Sequence, residues 1–128
     1  MNKITRYAAL IPALTFLGIG LTWLINPTAA ALDLGMALQE GIGRSSQLGD
    51  MTAFFIGNSA IIALGFLNNN RTWLHAAALI VALAATFRVV AWLFHDASLA
   101  IDLIGAEVIF ASLILLSASK MKGGAEEG

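Results

Sequence analysis

No cysteine occurs in the 128 residues, which excludes disulfides, thiolate nucleophiles, CxxC redox chemistry and cysteine-bound zinc or iron–sulfur clusters. Charge is almost as scarce. Only 12% of residues are charged, seven basic and eight acidic, for a formal net charge of -1; an ordinary soluble domain carries about twice that density. No basic footprint exists of the kind that nucleic acid demands, so nucleic-acid binding drops out. Phosphate-binding loops are missing too: Gly41-Ile42-Gly43-Arg44-Ser45-Ser46 neither follows a strand nor ends in glycine, so it fails the dinucleotide pattern. His75 and His95 would stand roughly 30 Å apart on one helix, too far to share a haem or metal. No metal site and no cofactor is expected, and each histidine reads as an interfacial residue.

What is present is hydrophobicity: 59% of residues are apolar and the mean hydropathy is +0.82. It is gathered into four runs at 7–26, 48–67, 74–94 and 99–118, each near the roughly 20 residues that cross a bilayer core. A single integral membrane domain over 1–128 is expected, all-α, as an antiparallel bundle of four transmembrane helices with a flexible tail at 119–128. Lys3 and Arg6 before an apolar run, with Thr28-Ala29-Ala30-Ala31 after it, also fit a signal peptide; the span is expected to be retained. Pro12 within it is no obstacle, because neighbouring helices and local adjustments satisfy the carbonyl it frees.

Lys3, Arg6, Arg71, Lys120 and Lys122 fall on one side of these spans and only Arg44 on the other. Positive residues are retained on the cytoplasmic side, which predicts both termini inside and the 27–47 loop outside. That loop should hold a short interfacial helix, with Asn26 as N-cap, Pro27 at its first position and Gly35 just past its end. Gly41-Ile42-Gly43 reads as a flexible link into the second span. Asn68-Asn69-Asn70 should supply the left-handed residue that ends that span, and Asp96 or Ser98 the N-cap of the fourth. Gly49, Ala53 and Gly57 recur four apart, and the third span is crowded with alanine. Such rows suit close helix packing within the bundle or, alternatively, a subunit interface.

Four charged residues lie inside the spans: Asp50, Arg88, Asp102 and Glu107. Intramembrane charges are costly, face the interior and are paired, which makes them functional candidates. Counted from the outer helix ends, Arg88 lies roughly 9 Å deep, Asp102 roughly 4.5 Å and Glu107 roughly 12 Å. Arg88 and Glu107 are the expected pair. Five positions turn a helix by about 140°, so Asp102 and Glu107 cannot both point at Arg88. Asp102 and Asp50 have a plainer explanation, since both sit near helix starts where the dipole favours acid. For Glu107 the plain alternative is a structural salt bridge. Trp92 and His95 follow Arg88 at i+4 and i+7 and share its face. Asn58 could bond across the bundle as site or as glue; Thr15 and Thr22 more readily bond their own helix carbonyls. One arginine against three acids calls for compensation by Arg44, by a proton or by a bound cation. The candidate ligand-binding set is therefore Arg88, Glu107, Asp102, Asp50, Asn58, Trp92 and His95.

Arg6 ahead of a first helix that ends Leu24-Ile25-Asn26-Pro27, then Gly49-Asp50-Met51-Thr52-Ala53-Phe54-Phe55, Phe87-Arg88 and Ala106-Glu107 resemble the DoxX-like small four-helix membrane proteins of bacteria over residues 6–118. The resemblance implies a multi-pass protein of the bacterial inner membrane and a role as partner of other membrane proteins. Thiol-linked versions of that role have no cysteine to use here. The expected function is a non-catalytic helper or accessory subunit whose outer-half cleft holds a lipid, quinone or small amphiphile, with a membrane protein or a second copy as partner. Two alternatives remain open. One is an intramembrane isomerase or hydrolase, with Glu107 or Asp102 as acid or base and Arg88 stabilising developing negative charge. The other is a proton-coupled carrier using Glu107; small multidrug transporters have this size, but their essential glutamate is in the first helix, where this chain has no acid.

Overall fold

The computed structural model describes residues 3–121, apart from the side chain of Lys3; Lys122 and most of the expected tail lie outside the described residues. Among the described residues every regular element is a helix: α1 (Lys3–Arg6), α2 (Leu10–Ile25), α3 (Pro27–Asp33), α4 (Gly41–Leu67), α5 (Arg71–Phe94) and α6 (Ile101–Ala118). Four stretches are long and apolar enough to cross a membrane: Ile4–Ile25, Gly41–Leu67, Arg71–Phe94 and Ile101–Ala118. Their outward faces carry large apolar side chains such as Leu14, Leu79, Phe87 and Ile109, as lipid contact requires and water would disfavour.

Pro12 shapes the first span. It stands in the first turn of α2, where a missing N–H is harmless, and the span breaks into α1 and α2 just before it. The carbonyl of Ala8 that Pro12 cannot serve accepts from the Ile11 N–H at 3.3 Å. Asn26 caps α3 by accepting from the Ala29 N–H at 3.3 Å, with Pro27 at the first position. Gly35 then adopts φ +78°, and two bonds close the turn, Gly35 N–H to Leu32 O at 2.9 Å and Met36 N–H to Ala31 O at 2.8 Å. This is the Schellman arrangement, so the short helix begins and ends where its residues predict.

Asn68 to Asn70 repeat the device. Asn69 takes φ +51°, the Asn70 N–H reaches Gly65 O at 2.9 Å, and the Asn70 side chain caps α5 by accepting from the Thr72 N–H at 3.0 Å. Two expectations fail at the other connections. Gly41-Ile42-Gly43 is no link; it forms the first turn of α4, which starts seven residues before the expected 48. Asp96, with φ +57°, ends α5, while α6 begins after Ala100 without a side-chain cap.

α2 packs chiefly on α4, α4 on α5 and α5 on α6, while α6 meets α1 and α2 only lightly. Trp23, Ile62, Leu74, Val81 and Ile114 are fully buried between them, and Ala77, Ala78 and Ala85 supply the flat face of α5. The row Gly49, Ala53 and Gly57 does not serve packing within the bundle. A Cβ at Gly49 or Gly57 would meet nothing within 4 Å, and the row lines an open groove beside Leu24. Close approach occurs instead at Gly20, against Ile56, and at Gly65, against Trp73 and Asn70. Polar glue comes from serines: Ser59 Oγ donates to Ala13 O at 2.8 Å across α4 and α2, and Ser117 Oγ donates to Arg6 O. Such bonds contribute about 0.6 kcal/mol each in a bilayer.

Candidate functional site

The two ends of the bundle differ. At the Asn68–Asn70 end the chain is tied down: the Arg6 guanidinium lies over the Phe66 ring at 5.1 Å and donates to Asn69 Oδ1 at 3.4 Å. The end bearing α3 and the α5–α6 connection is open. There a cleft of about 820 Å³ is lined by Asp33, Leu34 and Gly35 beside α3, by Arg88 on α5, and by Asp102 and Leu103 on α6.

Arg88 lines this cleft and also the smaller space behind it. Its Nε–H is shared between both oxygens of Glu107, at 2.9 Å and 3.1 Å, so the expected pair is real. The side chains are 30% and 12% exposed respectively; the carboxylate is the enclosed partner and the guanidinium opens outward. Because the bond runs through Nε alone, the terminal nitrogens of Arg88 have no hydrogen-bond partner among the described residues. A guanidinium has five N–H donors, and four of these remain for something in the cleft. Glu107 thus acts as a structural anchor that holds Arg88 in place and turns its free edge outward.

Asp102 lines the cleft but is exposed and makes no bond to Arg88, in keeping with its angular separation from Glu107 on one helix. Asp33 is the residue that sequence reasoning missed, having been set among loop charges. It shares a face of α3 with buried Ala30, three positions before it, and with Leu34 after it. That i, i+3, i+4 spacing was the available signal that its carboxylate turns toward the bundle.

The remaining candidates lie elsewhere. Asp50 is exposed and stands nine residues after the start of α4; it lines no part of the cleft, and being about two and a half turns from the helix start it is also beyond the reach of the dipole. Trp92 is 44% exposed on the outer surface, and His95 is the exposed C-cap of α5; of that i, i+4, i+7 set only Arg88 faces the cleft. Asn58 is buried but bonds its own helix, with Nδ2 donating to Phe54 O at 2.9 Å, while its Oδ1 has no partner among the described residues. The bond across the bundle belongs to its neighbour Ser59. Thr15 and Thr22 bond back to Ile11 O and Gly18 O, each at 2.8 Å. Arg44 does not dip into the cleft; its Nε–H donates to Gln39 O at 2.8 Å. Among the described residues, no group of three His, Asp or Glu side chains could hold a metal ion.

Behind the cleft lies a small chamber of about 60 Å³, enclosed by Phe16, Phe54, Phe55 and Phe110 and by the Arg88–Glu107 pair. Its rings lock one another: Phe16 meets Phe110 edge-on at 5.3 Å and Phe54 meets Phe55 at 5.0 Å. A third space, of about 200 Å³, lies among α2, α3 and α6, lined by Ile19, Thr22, Ala30, Asp33, Leu34 and Leu103. Leu34 and Leu103 border all three spaces, so two leucines stand between a charged vestibule, an aromatic chamber and a side pocket under α3. Compared with protein-family models, with curated proteins and with solved structures, the chain matches none.

Proposed function

We propose that this chain is a small multi-pass protein of the bacterial inner membrane that serves as an accessory subunit and holds a lipid, quinone or other amphiphile in the cleft at the α3 end. The observation that carries this reading is the free edge of Arg88 in a charged vestibule that gives way, past Leu34 and Leu103, to an aromatic chamber and a largely apolar side pocket. Polarity that falls across a few side chains is what a molecule with a head and a tail fits. The light packing of α6 on α2 supports a lateral route for the tail. The DoxX-like resemblance supports the partner role, with a membrane protein or a second copy as the candidates. Both oxygens of Glu107 accept from Arg88, which favours binding over the isomerase, hydrolase and proton-coupled carrier readings that need this carboxylate for proton transfer.

Native mass spectrometry of the protein extracted in mild detergent tests the reading. An adduct of lipid or quinone mass should be retained, and Leu103→Trp, which fills the junction of the three spaces, should reduce it. Bare protein under all extraction conditions overturns binding.

In this reading the helices run antiparallel, both termini are cytoplasmic and the cleft opens in the outer half of the bilayer, as the distribution of basic residues supports. In intact cells, Glu40→Cys should react with a membrane-impermeant maleimide and Asn68→Cys should not. The reverse pattern inverts the protein and moves the cleft to the cytoplasmic leaflet.

A further inference from the structure

The vestibule presents unused N–H donors on Arg88, whose charge Glu107 already balances, and two carboxylates that have no cation among the described residues. On one side is the free edge of Arg88, which calls for an anionic oxygen group able to take a forked pair of N–H donors. On the other are Asp33 and Asp102, exposed carboxylates that make no hydrogen bond or ion pair with any described residue. Asp33 lies in the last turn of α3, where the helix carbonyls disfavour a negative charge, so the fold offers no local reason for an acid there. Among the described residues, Arg88 is the only arginine or lysine that lines the vestibule, and Glu107 already takes its Nε–H. The two rim acids therefore lack a cation of their own.

We infer, resting on the binding reading above, that the cleft selects a zwitterionic head group: a phosphate or similar anion against the terminal nitrogens of Arg88, and a primary ammonium against Asp33 and Asp102. A purely anionic head would satisfy Arg88 but meet the repulsion of both aspartates. A purely cationic one would satisfy the aspartates but leave the guanidinium edge without an acceptor and add like charge beside it. The amine is primary. Quaternary ammonium recognition rests on aromatic faces, and among the described residues no aromatic side chain lines the vestibule; the phenylalanines lie behind Leu34 and Leu103, against one another. Carboxylates need N–H donors, which a choline group lacks. Phosphoethanolamine, free or as a phospholipid head, has this chemistry.

The test uses the full chain in nanodiscs of defined composition, with retained lipid quantified by native mass spectrometry. At equal mole fractions, phosphatidylethanolamine should be retained over phosphatidylglycerol and over phosphatidylcholine by about tenfold, the worth of one good charge-assisted contact. Asp33→Asn together with Asp102→Asn should erase that preference. Both side chains are exposed and unbonded, so the variant keeps its fold, and an unchanged circular dichroism melt verifies this. Water-soluble O-phosphoethanolamine separates the two sources: displacement of bound lipid marks a soluble ligand, and lipid that resists it marks a phospholipid, either one meeting the inferred chemistry. Equal retention of the three lipids, or a preference that survives the double substitution, overturns the zwitterion inference while leaving amphiphile binding intact. Absence of any retained lipid overturns both.

Discussion

Replacing Arg88 with methionine is expected to lower the unfolding free energy by about 3 kcal/mol, because Glu107 is then left as an enclosed carboxylate with no donor. Glu107→Met should cost less, about 1 kcal/mol, because the guanidinium is the more exposed partner and can be solvated from the cleft. The double variant should recover most of the loss and return to within about 1 kcal/mol of the parent, since two methionines of similar reach fill the gap between α5 and α6 without charge. The double-mutant cycle, read by steric-trap or chemical unfolding in bicelles, isolates the pair. Additive losses would mean that the contact of 2.9 Å contributes no stability. The same double variant separates structure from binding: it should fold, and it should no longer hold an anionic head group.

The second large effect is expected at Gly65. A Cβ there would lie 2.8 Å from Trp73 Cβ and 3.1 Å from Asn70 O. The first atom is fixed to the start of α5 and the second is backbone, so neither can swing away as a long side chain would. Gly65→Val should cost about 3 kcal/mol through overpacking and open the hairpin between α4 and α5, because Gly65 O also receives the Asn70 N–H that closes the turn. Gly57→Val, eight residues earlier on the same helix, should change stability by less than about 0.5 kcal/mol, since a Cβ there meets open space. Thermal melts of the two variants side by side check this; equal losses would mean that α4 is packed differently.

That contrast shows where the sequence was legible and where it was not. Long apolar runs, Asn26-Pro27, Gly35 and the three asparagines are local signals, and each led to the right helix or turn. The Arg88–Glu107 pair was legible because buried charges must be paired, because two acids five positions apart cannot both face one arginine, and because Asp102, near a helix start, had another explanation. Spacing alone misled at Gly49, Ala53 and Gly57, because a row of small residues states that something could pack closely without stating whether the helix turns that face inward. Gly20 and Gly65 belong to no row, and their role rests on Ile56 and Trp73, which other parts of the chain deliver. Asp33 was hidden for a related reason. Its charge read as a solvated loop, and only the return of α3 over the bundle end makes it a wall of the cleft. Asp50 failed in the opposite direction, because the helix start that would have accounted for it lies nine residues upstream, at Gly41.

The unequal lengths of the helices bear on the lipid around the protein. α4 has 27 residues and α6 has 18, or about 40 Å against about 27 Å, while a bilayer core measures roughly 30 Å. α6 is thus slightly too short and α4 markedly too long. The surplus of α4 falls at its polar beginning, where Arg44, Ser45 and Ser46 are exposed, and with the helices spanning as proposed it would stand out of the hydrocarbon on one flank. On the α6 flank the bilayer would thin, or flanking residues snorkel, to cover the mismatch. Thinning would draw head groups downward beside Asp102, so the membrane itself would bring its polar layer to the level of the vestibule, and a thicker bilayer should make that access harder.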